Sequence, residues 1–493
     1  MTLTLPARLE RTAAEHPNST ALILGENRMT YAELQDRSQR LAGLMRQEGI
    51  GPGDRVALMV PNIPAFPVVF FAALQLGAVV VPMNPLFKRR EIEYYLEDSD
   101  ASMLWAVPSE EAVEGARERG VPLRTLGEDG LAPHLAESPG PVTETVERDL
   151  EDDAVILYTS GTTGRPKGVL HTHNSLHALT RQIGRHWRVD ADDVFLVPSP
   201  ISHIGGSLYA FEAPLLLGAT AVLMDRWDAG AALTLFARHG CSHMAGATPF
   251  LDQLLTAAQD ADVHLPTLKV FICGGASVPP GLVRRAAAWF DRTAVTRVYG
   301  STEVPVTTIG APSRDEVDLA ADTDGRPGIA EVRLDASGQV LVRGPQMLAG
   351  YLHPEDEAAA FDEEGFYRTG DLGRLTPDGA LVITGRAKDL IIRKGENIAP
   401  KEVEDALMEH PAIREASVVG LPDPVTGERA WAVLVTDGTR LDVADVAAFL
   451  RAAGVAPFKL PEAVAVWPNL PKNDAGKVLK DQVRARLLAD TEA

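Results

Sequence analysis

The residues Tyr158-Thr159-Ser160-Gly161-Thr162-Thr163-Gly164-Arg165-Pro166-Lys167-Gly168 put four aliphatic hydroxyls, three glycines and two cations into one short stretch after the apolar run Ala154 to Leu157. Glycine lets backbone N–H groups approach an anion, hydroxyls donate further hydrogen bonds, and Arg165 and Lys167 add charge. The chemistry this suits is phosphate binding. It is not a Walker loop, which needs four residues between Gly and Gly-Lys and a helix directly after; here Gly168-Val169-Leu170 predicts a second strand.

Other chemistry-bearing residues sit where elements must end. The spacing predicts a strand Leu268 to Cys273, a loop Gly274-Gly275-Ala276-Ser277, a helix Gly281 to Phe290 and a strand Ala294 to Tyr299 running into Gly300-Ser301-Thr302-Glu303. A similar unit covers Arg55 to Val60, a helix through Ala73, and Ala78 to Val81. These read as parallel crossover units, whose ligands bind beyond the carboxyl ends of the strands. From about Gly325 the pattern changes to hairpins: Glu331 to Leu334 with Val340 to Arg343, and Tyr367 to Leu375 with Ala380 to Thr384. A basic, polar stretch from Arg386 to Asp389 then precedes a mixed α and β segment of about 100 residues, a domain-sized piece.

The chain has 493 residues, 45% hydrophobic and 23% charged, so a sizeable core is expected and wholesale disorder is excluded. Its 47 Lys plus Arg against 68 Asp plus Glu give a net charge of −21, a field that disfavours nucleic acid and anionic lipid. Cys241 and Cys273 are the only cysteines, too few for a disulfide framework and compatible with a reducing cytoplasm. The apolar run Ala65 to Met83 approaches membrane-span length, but Pro67, Gln75, Gly77 and Pro82 break it, so a buried helix and a strand are expected. His171-Thr172-His173 and Cys241-Ser242-His243 lack helical His spacing and a second paired set, which argues against zinc.

The glycine-threonine segment resembles the signature loop of the adenylate-forming superfamily, which holds acyl-CoA and aryl-CoA ligases, peptide-synthetase adenylation domains and firefly luciferase. Further motifs follow in the family's order: Pro200-Ile201-Ser202-His203-Ile204-Gly205-Gly206, Gly274-Gly275-Ala276, Tyr299-Gly300-Ser301-Thr302-Glu303, Tyr367-Arg368-Thr369-Gly370-Asp371, Gly385-Arg386-Ala387-Lys388-Asp389, and Pro471-Lys472-Asn473-Asp474-Ala475-Gly476-Lys477. The resemblance implies an α/β fold: a large N-terminal domain, 1–387, of layered sheets and helices with a distorted β-barrel-like part, and a small mobile α+β domain, 388–493, carrying the catalytic Lys477.

It also implies ATP, Mg²⁺ and coenzyme A. Tyr299 would stack on adenine with Gly274 to Ala276 leaving room, Thr302 would contact the α-phosphate, Glu303 would hold Mg²⁺, Asp371 the ribose hydroxyls, and Arg386 the ribose and phosphate. His203 would border the carboxylate, Lys388 would be the hinge, and Lys394-Gly395 would line the pantetheine tunnel. Many relatives carry two glycines at that last pair, a departure that bears on the acceptor. The expected reaction is carboxylate plus ATP to acyl-adenylate, then transfer to coenzyme A. Carrier-protein loading, or nitrite activation for diazotisation of an aromatic amine, are the alternatives. The segments His243 to Pro249 and Val304 to Thr307, with Ala245, Gly246 and Ala247 leaving volume, point to an apolar or aromatic carboxylate, and the run Tyr299 to Pro305 resembles ligases for cyclic and aromatic acids, so an apolar cyclic, aromatic or medium-length acyl group is expected. Neither nucleic acid nor membrane is expected as a partner; oligomeric state is not legible.

Overall fold

The computed structural model describes residues 3–127, 130–160, 165–275, 277–394, 396–472 and 477–492. Two seven-stranded sheets form its larger layers. The first runs from Ala294–Arg297 through Val270–Cys273, His243–Gly246, Val194–Val197 and Thr220–Leu223 to Thr20–Leu24, all parallel, and closes with antiparallel Asn27–Thr30. The second sets Leu123–Thr125, Ala101–Ala106, Arg55–Met59 and Val79–Pro82 parallel to Asp153–Ser160, then turns antiparallel through Pro166–Thr172 to Gly350–Tyr351. The expected crossover units are both present. Parallel strands buried on both faces need near-continuous apolar runs, which explains why Val79–Pro82 and Val270–Cys273 contain almost nothing else.

The apolar run after Pro64 is core, as expected. Every residue of the helix Ala65–Gln75 is buried, and Phe66, Phe70 and Phe71 pack with Phe211 between the two sheets, the Phe70 and Phe211 rings edge to face at 4.9 Å. The helix starts before Pro67, which lies inside its first turn, where no intrahelical N–H bond is lost. Among the described residues no helix is long and apolar enough to cross a membrane. Cys241 and Cys273 are both buried free thiols.

The hairpin region forms a four-stranded antiparallel sheet, Glu331–Leu334, Gln339–Arg343, Tyr367–Leu375 and Leu381–Arg386, beside the short pair Thr308–Ile309 and Arg326–Pro327. Together they make the barrel-like part. After the short helical turn Ala387–Asp389 comes a separate five-stranded sheet built on the long hairpin Ile413–Asp423 with Gly427–Thr436. Its two faces have their own apolar clusters, one around Val403, Leu407 and Leu450 and one around Trp467, Val483 and Leu487.

One buried carboxyl stands out in the large core. Glu212 ends a π turn, Leu208–Glu212, with 2% of its surface exposed, and its Oε2 finds no hydrogen-bond partner. Burial pushes its carboxyl from an ordinary 4.5 up to about 8, against a bond from Ser207. Between those values the folded chain binds more protons than the unfolded one, so stability falls as pH rises through that window. Glu212→Gln removes the titration. Its melting temperature is expected to match the wild type near pH ~5 and to exceed it near pH ~8.5; equal shifts at both would contradict a neutral buried acid.

Candidate active site

Several motifs converge because parallel strands end together. Gly274 and Gly275 follow Val270–Cys273, and Tyr299 to Glu303 follow its neighbour Ala294–Arg297, so both loops leave the same edge of the first sheet. The second turn is too tight for any side chain: a Cβ on Gly300 would lie 2.6 Å from the Val306 nitrogen. Val306 itself, a β-branched residue, takes φ +46, and Gln182 holds it there by donating to its carbonyl at 3.1 Å.

Asp371 gathers the polar groups. Tyr299 donates its hydroxyl to Asp371 Oδ2 at 2.7 Å, and Arg386 Nε lies 2.9 Å from Oδ1. This pair is set by register, since Asp371 and Arg386 face each other across adjacent strands. Burial and then the Asp371 charge hold the Tyr299 phenol well above its ordinary range. For Arg386, burial opposes the charge, but Asp371 and Tyr299 more than offset it and its pKa rises.

Lys477 reaches the same place from the C-terminal segment. An antiparallel bridge between Lys472 and Val478, with Leu479 N–H donating to Pro471 O, fixes the chain next to it. The Lys477 side chain keeps part of its surface open to water. Burial and then repulsion from Arg386 push its ammonium down to about 8, with Asp371 and Asp389 opposing and Lys388 adding to the fall. The two halves of the chain touch elsewhere too: Ser277 donates to Asp405 at 2.9 Å, and Gly281 packs so closely on Glu409 that a Cβ would sit 3.0 Å from its carboxylate.

Thr302 and Glu303 are braced by residues that sequence reasoning assigned no role in the site. His171, fully buried and pushed down to about 4 by burial, is neutral and bonds the Thr302 carbonyl through Nε2 at 2.7 Å, the tautomer following from that acceptor. Glu303 Oε1 accepts from Tyr351 at 3.3 Å, and Tyr351 shares its hydroxyl with Tyr367 at 3.0 Å. The pairing of Gly350–Tyr351 with Val169 and Leu170 is what delivers Tyr351 there. A lone Gly-Tyr in a hairpin region carries no local signal of this.

The remaining expected residues divide. Thr159 and Ser160 end the strand Asp153–Ser160, and Lys167 lies in the following strand. Gly161, Thr162, Thr163, Gly164, Ala276 and Gly395 lie outside the described residues. His203 is exposed and precedes the short helix Ile204–Ser207, where Gly206 passes so close to the Pro200 carbonyl that a Cβ would be 1.9 Å from it. Lys388 is exposed in the turn Ala387–Asp389, beside Asp389, which pairs with Arg484 at 3.3 Å. Lys394 is exposed too, with φ +51 and its N–H bonded to Thr426 O. His243, in the expected acyl-pocket segment, is core: it stacks on Phe195 at 4.6 Å beside Ser242 and Asp193. Gly246 leaves less volume than its size suggests, because the Phe250 ring packs over it.

Glu303 meets the needs of a hard cation that takes one protein carboxylate and fills its other positions with phosphate and water. Among the described residues no group of three His, Cys, Asp or Glu is placed to hold a metal by itself.

Residues 9–352 match the AMP-binding enzyme family, and residues 402–477 match the AMP-binding enzyme C-terminal domain. The chain belongs to the AMP-binding enzyme family. It is 34% identical to a medium-chain fatty-acid–CoA ligase of Escherichia coli (strain K12), over 97% of this chain and 89% of that one. It is also 34% identical to a feruloyl-CoA synthase of Amycolatopsis sp, covering 97% of both. Among solved structures, ATP-bound MatB from Rhodopseudomonas palustris superposes with a TM-score of 0.90 at 30% identity, covering 99% of both chains; apo MatB gives 0.80 at the same identity and coverage. This AMP-binding enzyme is therefore a ligase of the ATP-dependent acyl-CoA kind.

Proposed function

We propose that this AMP-binding enzyme activates an apolar cyclic, aromatic or medium-length carboxylic acid as its adenylate, releasing pyrophosphate, and then transfers the acyl group to coenzyme A. One observation carries the reading: Tyr299 and Arg386 both converge on Asp371, at 2.7 and 2.9 Å, and the charges of Arg386 and Asp371 act on Lys477, which comes from the C-terminal segment. A carboxylate attacking the α-phosphate builds negative charge that preorganised cations stabilise without covalent help. Asp371 would accept the ribose hydroxyls once Tyr299 and Arg386 yield one oxygen each, the Tyr299 ring would stack on adenine, and Thr302 would meet the α-phosphate. Glu303 would hold Mg²⁺, which supplies charge neutralisation to the phosphates. Thr159, Ser160 and Lys167, with the glycine-threonine segment Gly161 to Gly164 that separates them in sequence, would take the outer phosphates, and His203 would border the substrate carboxylate.

We read the chain as two domains, 1–387 and 388–493, that change orientation about Lys388 between the half-reactions. The better superposition on ATP-bound than on apo MatB supports taking the present arrangement as the adenylating one. Lys394 and Gly395 would then reach the pantetheine arm only after rotation. Relatives named for medium-chain fatty acids and for feruloyl thioester support the substrate class, as do the apolar Ala245, Val304 and Val306.

The test is pyrophosphate release over a panel of fatty, aromatic and cyclic acids plus nitrite, followed by addition of coenzyme A. Adenylate should form with apolar acids and discharge to thioester. Discharge only to a carrier protein, or turnover only with nitrite and an amine, would transfer the assignment to those chemistries.

A further inference from the structure

We propose that Asp356 is a built-in counter-ion to the phosphate-binding cations Arg165 and Lys167, placed to weaken their hold on pyrophosphate so that this product leaves. The inference rests on the reading of those cations as a phosphate grip. Asp356 Oδ1 lies 3.0 Å from Lys167 Nζ and Oδ2 lies 3.2 Å from Arg165 Nη2, so one carboxylate spans both cations. Only 9% of the Asp356 side chain is exposed and 18% of Lys167, which keeps the contact from full screening. Glu355 adds a looser, exposed contact to Arg165 at 3.6 Å.

The pairing is built in rather than incidental. Pro354–Asp356 forms a helical turn just after Gly350–Tyr351, and that short strand is bonded to Val169 and Leu170, in the same strand as Lys167. Glu357 accepts from Tyr351 N–H at 3.0 Å and fixes the turn further. Lys167 also lies 5.4 Å from the Tyr351 ring centre, and Tyr351 donates to Glu303. Asp356, Lys167, Tyr351 and Glu303 thus form one chain of contacts.

The physical need is simple. ATP and pyrophosphate share the outer phosphates, so cations that bind one tightly bind the other tightly, and uniform binding slows product departure without helping the chemical step. An anion beside those cations reduces both affinities together, which costs ATP affinity and speeds release.

Asp356→Asn keeps the shape and removes the charge. We expect the KM for ATP and the inhibition constant of pyrophosphate both to fall, by about tenfold for a close, partly shielded charge, and kcat to fall with slower release. The KM for the acid should not move, nor the conversion of supplied acyl-adenylate to thioester. Asp356→Glu should restore wild-type values. A merely structural brace would instead raise the pyrophosphate constant or leave it unchanged, and either result overturns the counter-ion. Lys167→Ala separates the two readings: it should weaken ATP and pyrophosphate alike, and no change in either would remove the phosphate grip itself. Should Asp356→Asn not fold, the double variant with Lys167→Ala leaves only Arg165 to neutralise; its pyrophosphate constant must then lie below that of Lys167→Ala alone, and equality overturns the proposal.

Discussion

Lys477→Ala should lower adenylate formation by on the order of a hundredfold or more, as expected for deleting one preorganised charged donor, while the enzyme still converts supplied acyl-adenylate to thioester. The asymmetry follows from where the residue comes from. Lys477 is carried by the C-terminal segment, and in the arrangement seen here the charges of Arg386 and Asp371 act on it; under the proposed function, transfer to coenzyme A would occur after rotation has removed it. Lys388→Pro, which stiffens the exposed turn Ala387–Asp389, should give the reverse, adenylation kept and thioester formation impaired. The pH dependence has a definite sign. With its ammonium lowered to about 8, Lys477 is protonated below that value and neutral above it, so kcat/KM for adenylation should hold below and decline above. Lys477→Arg should lose that alkaline limb. Single-turnover assays of each half-reaction measure all three variants, and equal loss of both halves in well-folded Lys477→Ala would end the single-orientation role.

Glu303→Gln should cut activity by a factor of roughly a hundred to a thousand at limiting Mg²⁺, with the fold intact. Glutamine keeps the acceptor that Tyr351 needs, so the contact at 3.3 Å can persist, but the full charge facing a hard cation is gone. Raising Mg²⁺ should recover part of the loss, and the Mg²⁺ concentration for half-maximal rate should rise. An unchanged rate at limiting Mg²⁺ would remove Glu303 from the metal site. A large fall in melting temperature would recast it as a structural partner of Tyr351 and Tyr367.

Much of the fold was legible because its signals are local. The strand Val270–Cys273 and the helix after it announce themselves by apolar run and helical period, and the hairpins by turn residues such as Ala336-Ser337-Gly338. The motif residues Tyr299, Asp371, Arg386 and Lys477 could be named from their order along the chain. Their convergence is a different kind of fact. It depends on two parallel strands ending at one edge, on the register that sets Asp371 against Arg386, and on the placing of the C-terminal sheet.

What the sequence determined by itself is the set of elements and the residue types at their ends, because apolar period, glycine and proline act within a few residues. What only the tertiary structure decided is which side chains meet. His171, one of a histidine pair in sequence, braces the Thr302 carbonyl; His243, in a segment expected to line the acyl pocket, is core. Tyr351 and Asp356 drew no notice, since the residues they touch lie 48 and 191 positions away along the chain. A contact at such separation leaves no period and no motif in one sequence; it exists only once sheet pairing has brought the strands together.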